Sequence, residues 1–277
     1  MQTCFGEMTE NLPSSWEEIT PSAKEEFQTQ FKELGNGVYG FIANKDVSDK
    51  TMVIDPVPTR LWGTYYGGIG QDNGLVVTDK ALNVYIYSET ASASNIATSG
   101  AFQTSLAGLR DGFIAKLDSA GRRIWGTYFG DSNHDKITAL DIDENLNIYA
   151  AAEKILNRDQ QIFLLNLNPN GTMMLIKPFG GEAFDIAYGI KVFENKVYLC
   201  GETFSKSSIS TANAFQPVSK SPSGSATAFL AKFDNTGNLE WSTFFGGTDV
   251  SGFSKLCKPM PVASVYWVEL TVSTACQ

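Results

Sequence analysis

The fold is decided by the stretch WGTYYGG at Trp62–Gly68. It returns three times, as WGTYFG at Trp125–Gly130, as a degenerate KPFGG at Lys177–Gly181 and as WSTFFGG at Trp241–Gly247. The copies are about 60 residues apart, except for a shorter interval of about 50 residues between Phe129 and Phe179. A fixed period of this length is typical of tandem copies of one structural unit.

Three further strand-like segments separate the aromatic copies, always in the same order. The first is an apolar run, at Gly74–Asp79, Ile137–Asp143 and Ile186–Val192. The second alternates apolar and polar residues, at Asn83–Thr90, Asn147–Glu153 and Lys196–Thr203. The third lies at Asp111–Asp118, Gln161–Asn168 and Thr227–Asp234. Each copy of it leads into a turn that begins with Asp or Asn and has Gly at its fourth position. Four short strands in each tandem unit predict the blades of a β-propeller.

We therefore expect an all-β protein with propeller-type, four-stranded blades in residues 59–277. Units begin near residues 62, 125, 175 and 241, which gives about three full units and an incomplete fourth. Because propellers have about four to eight blades, the ring is expected to be incomplete. The alternative is a closed four-bladed ring, in which the Trp62 strand pairs with a strand at Ser264–Thr274. Residues 1–58 are expected to form a small β-rich segment.

Three local features qualify this prediction. Residues 13–34 have some helical character, with Ser22 as a candidate N-cap. Two units carry a polar insertion between their second and third strands, ending in GAFQTSLAG at Gly100–Gly108 or NAFQPVS at Asn213–Ser219, which we assign to a surface loop because the short unit lacks it. After Gly247 the repeat pattern stops and Lys258–Pro261 replaces the expected turn, so we interpret the tail as truncated or shifted in frame.

Composition excludes several classes of partner. The net charge is −9, with 21 basic and 30 acidic residues, which disfavours binding to nucleic acid or anionic lipid. No apolar run is long enough to cross a membrane, so no membrane insertion is expected. The first residues lack the basic and apolar regions of a secretion signal. The four cysteines are irregularly spaced, and Cys200 lies in an apolar strand, where a thiol acts as a small hydrophobe.

Candidate chemistry in the sequence is sparse. Asp141–Asn145 has the D-x-D-x-N start of a calcium loop, but Leu146 and Ala152 replace the glycine and glutamate that such a loop needs, so we favour a hairpin and leave calcium binding near Asp141 open. His134 is the only histidine and is expected to lie in a solvated loop. No catalytic, cofactor-binding or metal-binding residues are predicted.

The repeat resembles the SBBP family of bacterial β-propeller repeats, over about residues 60–252. Matching residues are Trp62, Thr64, Tyr65, Gly67 and Gly68 in the aromatic strand, Asn83, Val84 and Tyr85 in the second strand, Ala101, Phe102 and Gln103 in the insertion, and Phe113, Ala115, Lys116, Leu117, Asp118 and Gly121 in the third strand and its turn. The segments Val38–Asp46 and Thr51–Pro56 are similar to the end of a β-rich domain that often precedes these repeats. The resemblance implies a surface or secreted bacterial protein, located outside the cell or in its envelope, and carries no catalytic apparatus.

Three hypotheses about function follow. The first is a non-enzymatic segment of a larger protein, a scaffold for binding or adhesion whose loops contact a protein or a glycan, with self-association through open blade edges. The second is a propeller hydrolase or lyase that acts on polysaccharide at the central channel. The third is a fragment with no function of its own.

Overall fold

The computed structural model describes residues 2–3, 6–7, 14–20, 23–35, 38–44, 51–55, 62–156, 159–248, 252–256 and 268–271. Every regular element in these ranges is a β-strand, so the predicted all-β class is confirmed. The chain divides into two compact units. One comprises Met1–Thr64 with Lys80–Leu82, and the other comprises Tyr65–Asp79 with Asn83–Gln277.

The first unit consists of small antiparallel sheets. Its strands are β1 (Gln2–Thr3), β2 (Gly6–Glu7), β3 (Ser14–Thr20), β4 (Ala23–Glu26), β5 (Thr29–Gly35), β6 (Val38–Ala43) and β7 (Met52–Asp55). β1 pairs with β2, β5 pairs with β6, and β3 lies between β4 and β7.

The helical character expected for residues 13–34 was wrong, because β3, β4 and β5 occupy this segment. Pro21 would interrupt a helix through the whole segment, and the residues after it find their hydrogen-bond partners in β3 and β6. Instead, Trp16 pairs with Glu26 on one side and with Val53 on the other. Ser22, the expected N-cap, lies outside the described residues.

The second unit contains three tandem four-stranded sheets, each an antiparallel meander whose strands follow sequence order. Blade 1 has β8 (Leu75–Thr78), β9 (Val84–Thr90), β10 (Asp111–Leu117) and β11 (Arg123–Phe129). Blade 2 has β12 (Lys136–Ile142), β13 (Ile148–Leu156), β14 (Asp159–Leu167) and β15 (Met173–Phe179). Blade 3 has β16 (Asp185–Phe193), β17 (Lys196–Thr203), β18 (Thr227–Asp234) and β19 (Leu239–Phe245). The prediction of propeller-type blades is confirmed, and the described sheets do not close into a ring.

The two ends of the repeat array differ in how they match the prediction. Trp62–Gly68 forms no strand, and no described strand pairs with it. The later aromatic copies form strands because β10, β14 and β18 each supply a neighbour. At the other end, β20 (Gly252–Leu256) pairs with β21 (Val268–Thr271). β21 falls within the expected strand at Ser264–Thr274, but it pairs with β20 and not with Trp62–Gly68, so the pairing expected for a closed four-bladed ring does not occur among the described residues. Lys258–Pro261 lies outside the described residues.

The turns between the third and fourth strands have the predicted construction. Gly121, Gly171 and Gly237 have φ values of 77°, 80° and 72°, which favour glycine. In blade 3 the Asp234 carboxylate accepts hydrogen bonds from the backbone N–H groups of Thr236, at 2.9 Å, and Asn238, at 2.8 Å. These bonds, led by that from Asn238, lower the pKa of Asp234 to about 2.

The aromatic strands pack between adjacent blades, as predicted. Trp125 of β11 is 7% exposed and belongs to an apolar cluster that joins blade 1 to Ile137, Ile148 and Leu165 of blade 2. Its indole Nε1 donates a hydrogen bond to the Pro169 carbonyl oxygen at 3.0 Å. A second cluster joins blade 2 to blade 3, with Phe179 of β15 against Phe229 and Phe233 of β18.

Cys200 of β17 is fully buried in blade 3. Burial raises the pKa of its thiol to about 12, so it remains protonated and acts as a small apolar side chain, as predicted. Cys4, Cys257 and Cys276 lie outside the described residues. In the part of the chain that the structure describes, no helix is long and apolar enough to span a membrane.

The polar insertions are more than surface loops, since Ile96 and Ile209 within them are fully buried. In blade 1 the insertion runs along the outer edge of β11. Thr98 N–H donates to the Gly126 carbonyl oxygen at 2.9 Å, and Tyr128 N–H donates to the Gln103 carbonyl oxygen at 3.1 Å. The insertion of blade 3 makes the equivalent bonds from Thr211 to Ser242 and from Phe244 to Gln216. Each insertion therefore covers a sheet edge, which is why it contributes to the core.

Blade 2 has no insertion, and its edge strand β15 differs in sequence accordingly. Pro178 stands where Tyr128 and Phe244 donate their N–H groups to the insertions, so this edge lacks that donor. Lys177 precedes it, and both residue types oppose pairing between sheet edges. Met174 and Ile176 of the same strand are 63% and 40% exposed. Lys177 and Pro178 therefore protect the edge of blade 2, whereas the insertions protect the corresponding edges of blades 1 and 3.

We expect Pro178→Thr to promote self-association, because it restores an outward N–H on an uncovered apolar strand. Size-exclusion chromatography with light scattering should show a concentration-dependent increase in mass. Pro222→Thr is the control, because Pro222 is an exposed proline in a loop, and this variant should match the parent. A monomeric Pro178→Thr protein at all concentrations would contradict the assigned role of Pro178.

Candidate functional site

The calcium-like segment Asp141–Asn145 forms the hairpin between β12 and β13. The Asp141 carboxylate accepts hydrogen bonds from Lys191 Nζ at 2.8 Å and from the Val192 backbone N–H at 2.7 Å. The Asp143 carboxylate accepts bonds from the N–H groups of Asn145 and Asn147, both at 2.8 Å. Both carboxylates are thus used within the protein, and the described residues contain no group of three His, Cys, Asp or Glu side chains that could hold a metal ion.

His134 is half-exposed in the loop before β12, as predicted, but it has a partner that the sequence did not reveal. Its Nε2 atom forms a hydrogen bond with the Glu89 carboxylate of blade 1. Arg110 Nη1 contacts the same carboxylate at 3.1 Å, and Asn73 Nδ2 donates to it at 2.7 Å. Glu89 therefore organises a small network between blades 1 and 2.

A glutamate occupies the equivalent position near the end of the second strand in every blade: Glu89 in β9, Glu153 in β13 and Glu202 in β17. The charges of Glu89 and Glu202 both raise the pKa of Glu153, after the larger effect of its burial. We call these glutamates and their charged or hydrogen-bonding neighbours the polar row; its members are Glu89, Arg110, His134, Lys136, Glu153, Gln160, Tyr188 and Glu202. The row thus draws residues from all three blades.

Glu89 forms the ionised end of the row. Its side chain is only 11% exposed, and burial alone would raise its pKa. The hydrogen bonds from His134 and Asn73, with the charges of His134 and Lys136, outweigh burial and hold the pKa of Glu89 below its usual value. Glu89 is therefore a carboxylate at neutral pH.

Glu153 lies at the centre of the row and behaves differently. Burial raises its pKa to about 7, and the Glu89 and Glu202 charges add to that increase. Lys136, its cross-strand neighbour in β12, and Gln160, whose Nε2 donates to its carboxylate at 2.6 Å, act in the opposite direction. Glu153 therefore changes its charge near neutral pH.

Glu202 and Tyr188 form the blade 3 end of the row. The Tyr188 hydroxyl donates a hydrogen bond to the Glu202 carboxylate at 2.7 Å. Burial, together with this bond and the Glu202 charge, raises the pKa of Tyr188, which keeps its proton. Tyr188 as a whole is 40% exposed, beside the Glu202 carboxylate.

A separate set of aspartates supports the loops that precede each blade. In blade 3 the Asp185 carboxylate accepts hydrogen bonds from the Gly181 N–H at 2.7 Å, from the Thr203 hydroxyl and from the Ser205 hydroxyl at 3.3 Å. Asp72, Thr90 and Ser92 make the same arrangement in blade 1.

The equivalent aspartate of blade 2 has lost part of this support. Asp135 is fully buried and accepts a bond from the Asp131 N–H at 2.7 Å through Oδ2, whereas Oδ1 has no hydrogen-bond partner. Lys154 takes the place of the threonine and binds Asp131 at 3.0 Å instead. Burial raises the pKa of Asp135 to about 6. The absence of a threonine hydroxyl at position 154 therefore explains why Asp135 Oδ1 has no hydrogen-bond partner.

A second polar cluster surrounds Lys206 in the blade 3 insertion. Lys206 Nζ donates to Ser221 Oγ at 2.7 Å, to the Ser225 carbonyl oxygen at 2.8 Å and to Ser219 Oγ at 3.2 Å. A serine beside a lysine can form a nucleophile and base. Burial lowers the pKa of Lys206, whereas three oxygen acceptors favour its ammonium form and tie the loop together.

The sequence indicates the glutamates of the polar row, although the motif analysis did not single them out. The ends of the second strands read SET, AEK and GET, with glutamate in register. The partners of these glutamates come from other strands and could not be read from that pattern.

No known family model matches the chain, and a search of curated proteins found no similar sequence.

Proposed function

We propose that the chain is a non-enzymatic segment of SBBP-type propeller repeats from a larger bacterial surface or secreted protein. It acts as a scaffold that binds a protein or a glycan through the polar row. The observation that carries this proposal is the glutamate at the same position of three successive blades. A buried carboxylate is costly unless it is paired, and a blade fold does not require one there, since its core is apolar.

The chemistry of the row suits binding. Carboxylates accept hydrogen bonds, whereas Arg110, Lys136 and Gln160 donate them. Tyr188 adds a half-exposed aromatic residue. Because Glu89, Glu153 and Glu202 lie on strands and accept hydrogen bonds from His134, Gln160 and Tyr188, little of their side-chain entropy would be lost on binding.

The test uses Glu89→Gln and Glu202→Gln in the full chain. Binding to immobilised glycans and to surface proteins would be measured by biolayer interferometry. Each variant should weaken binding about tenfold, because it replaces a charged acceptor by a neutral one. Glu240→Gln is the control, since Glu240 contacts Lys196 and Lys232 outside the row. Equal binding by all variants would refute the row as the binding site.

The alternative, a polysaccharide hydrolase or lyase, is favoured by one observation. The pKa values of Glu89 and Glu153 move in opposite directions, and a protonated and an ionised carboxyl are the pair that glycoside hydrolysis needs. Release of reducing ends from a polysaccharide, lost in Glu153→Gln, would replace the binding proposal by this one.

A further inference from the structure

We infer that the fourth strand of blade 3, β19, together with the edge of β21, is a docking surface for a β-strand of another chain. That strand would become the third strand of a fourth blade, and it carries the apolar pattern of β10, β14 and β18 and the turn that follows each of them. The surface includes no member of the polar row, so the two can be tested separately. The two junctions inside the array show what such a surface binds.

β20 and β21 occupy the place of the first two strands of a fourth blade. At the junction between blades 2 and 3, β16 lies against β12, β13 and β14, and β20 likewise lies against β16, β17 and β18. β21 then pairs antiparallel with β20, as β17 pairs with β16. No described strand pairs with the other edge of β21. An edge of this kind can add a strand from another chain through backbone hydrogen bonds.

At both internal junctions, the turn after the third strand of one blade covers the fourth strand of the blade before it. Trp125 of β11 donates a hydrogen bond to Pro169 in the turn of blade 2, and an added Cβ at Gly171 would lie 2.7 Å from its ring. Leu175 has the equivalent position in β15. An added Cβ at Gly237, in the turn of blade 3, would lie 2.5 Å from its Cδ2 atom. A close contact with a turn glycine is therefore a repeated feature of the junctions.

The third strand itself covers the last aromatic residue of the preceding fourth strand. Phe179 at the end of β15 is buried against Phe229 of β18, and their ring centroids are 5.4 Å apart. Phe129, at the same position of β11, is also buried. The other third strands have a phenylalanine in the register of Phe229, namely Phe113 and Phe163. A third strand thus brings an aromatic side chain to each junction.

The equivalent positions of blade 3 are open to solvent. Trp241 of β19 corresponds to the buried Trp125 but is 37% exposed. Phe245 corresponds to the buried Phe129 but is 38% exposed. Phe215 of the insertion stacks on Phe245 with the ring centroids 6.3 Å apart, and it is largely exposed. The aromatic side chains that a following third strand and its turn would cover are therefore accessible.

The junctions also define the chemistry of the partner. Its strand must carry a phenylalanine that reaches Phe245, and its turn must have glycine beside Trp241, because a Cβ at Gly171 or Gly237 would clash with the fourth-strand side chain. A folded second copy of this chain cannot supply that strand, since its own β10, β14 and β18 are each paired on both sides. The partner is therefore a different chain that carries a third strand of the same pattern.

The experiment is fluorescence anisotropy of a labelled synthetic peptide, Asp111–Arg123, titrated with the full chain. This peptide has the sequence of β10 and its turn. We expect saturable binding that Trp241→Ala weakens about tenfold, because a tryptophan covered on binding is a typical interface hot spot. Phe113→Ala in the peptide should weaken binding by a similar factor. Leu109→Ala is the control in the chain, since it removes an exposed apolar side chain of blade 1, and it should bind the peptide like the parent.

Hydrogen exchange tests how the peptide docks. The amides of Val268–Thr271 should exchange more slowly when the peptide is bound, because pairing with a further strand protects them. Binding without this protection would overturn the addition of a strand to β21. Absence of binding, or equal binding by a Trp241→Ala protein whose circular dichroism matches the parent, would overturn the docking surface. A scrambled peptide of the same composition that binds equally well would overturn the assigned partner.

Discussion

Trp125→Ala is expected to lower the free energy of unfolding by about 3–5 kcal/mol, the usual cost of removing a buried tryptophan. The indole fills the space between blades 1 and 2 and contacts the turn at Gly171, where an added Cβ would lie 2.7 Å from the ring. The substitution also removes the hydrogen bond to Pro169. Urea denaturation followed by far-UV circular dichroism would measure the loss.

Trp241→Ala is the matched control, because Trp241 has the equivalent position in the aromatic strand of blade 3 but is 37% exposed. We expect it to cost about 1 kcal/mol. Equal losses from the two variants would show that Trp125 owes its effect to its own strand and not to the contact between blades.

Asp135→Asn is expected to stabilise the protein at pH 8 by up to about 3 kcal/mol, from a pKa that rises from 3.8 to about 6 on folding. A carboxyl with a raised pKa in the folded state contributes its full stability below about pH 4 and loses it as the pH rises through 6. The amide stays neutral, so the advantage of the variant should grow between these values and then stay constant. Thermal unfolding across this range would measure it.

The same substitution should have the opposite effect in blade 3. Burial raises the pKa of Asp185 as well, but this carboxylate accepts hydrogen bonds on both oxygens, from Thr203, Ser205 and Gly181, which act in the opposite direction. In Asp185→Asn an amide nitrogen would face donors, which we expect to cost about 1–3 kcal/mol. If Asp135→Asn also destabilises at pH 8, the unpaired Oδ1 is not the defect that the structure indicates.

The sequence predicted the blades well because the same order of strands recurs in three copies, so a departure in one copy does not obscure the pattern. Strands such as Thr227–Asp234 were located to the residue, and turn glycines such as Gly171 have the expected backbone. Failures occurred where one copy stands without a neighbour. Trp62–Gly68 matches its repeats in sequence, yet a strand also needs a partner for its backbone groups.

The candidate site was beyond the sequence for a different reason. The in-register glutamates could be read from alignment of the repeats, but the pKa of Glu153 depends on Lys136, Gln160 and two other blades. Likewise, the residues next to His134 in the chain do not indicate its contact, because its hydrogen-bond partner Glu89 is 45 positions away. The position of each glutamate can be read from its own repeat, whereas its charge state depends on residues of the neighbouring repeats.

The uncovered edge of blade 2 shows how a loop and one residue of a distant strand depend on each other. A blade without the segment beside its fourth strand would have a backbone donor without an acceptor, and Pro178 removes that donor. The same edge position therefore carries either an N–H that an insertion accepts, as in blades 1 and 3, or no N–H, as in blade 2. We expect a blade that lacks both the insertion and the proline to present an unpaired donor to other chains.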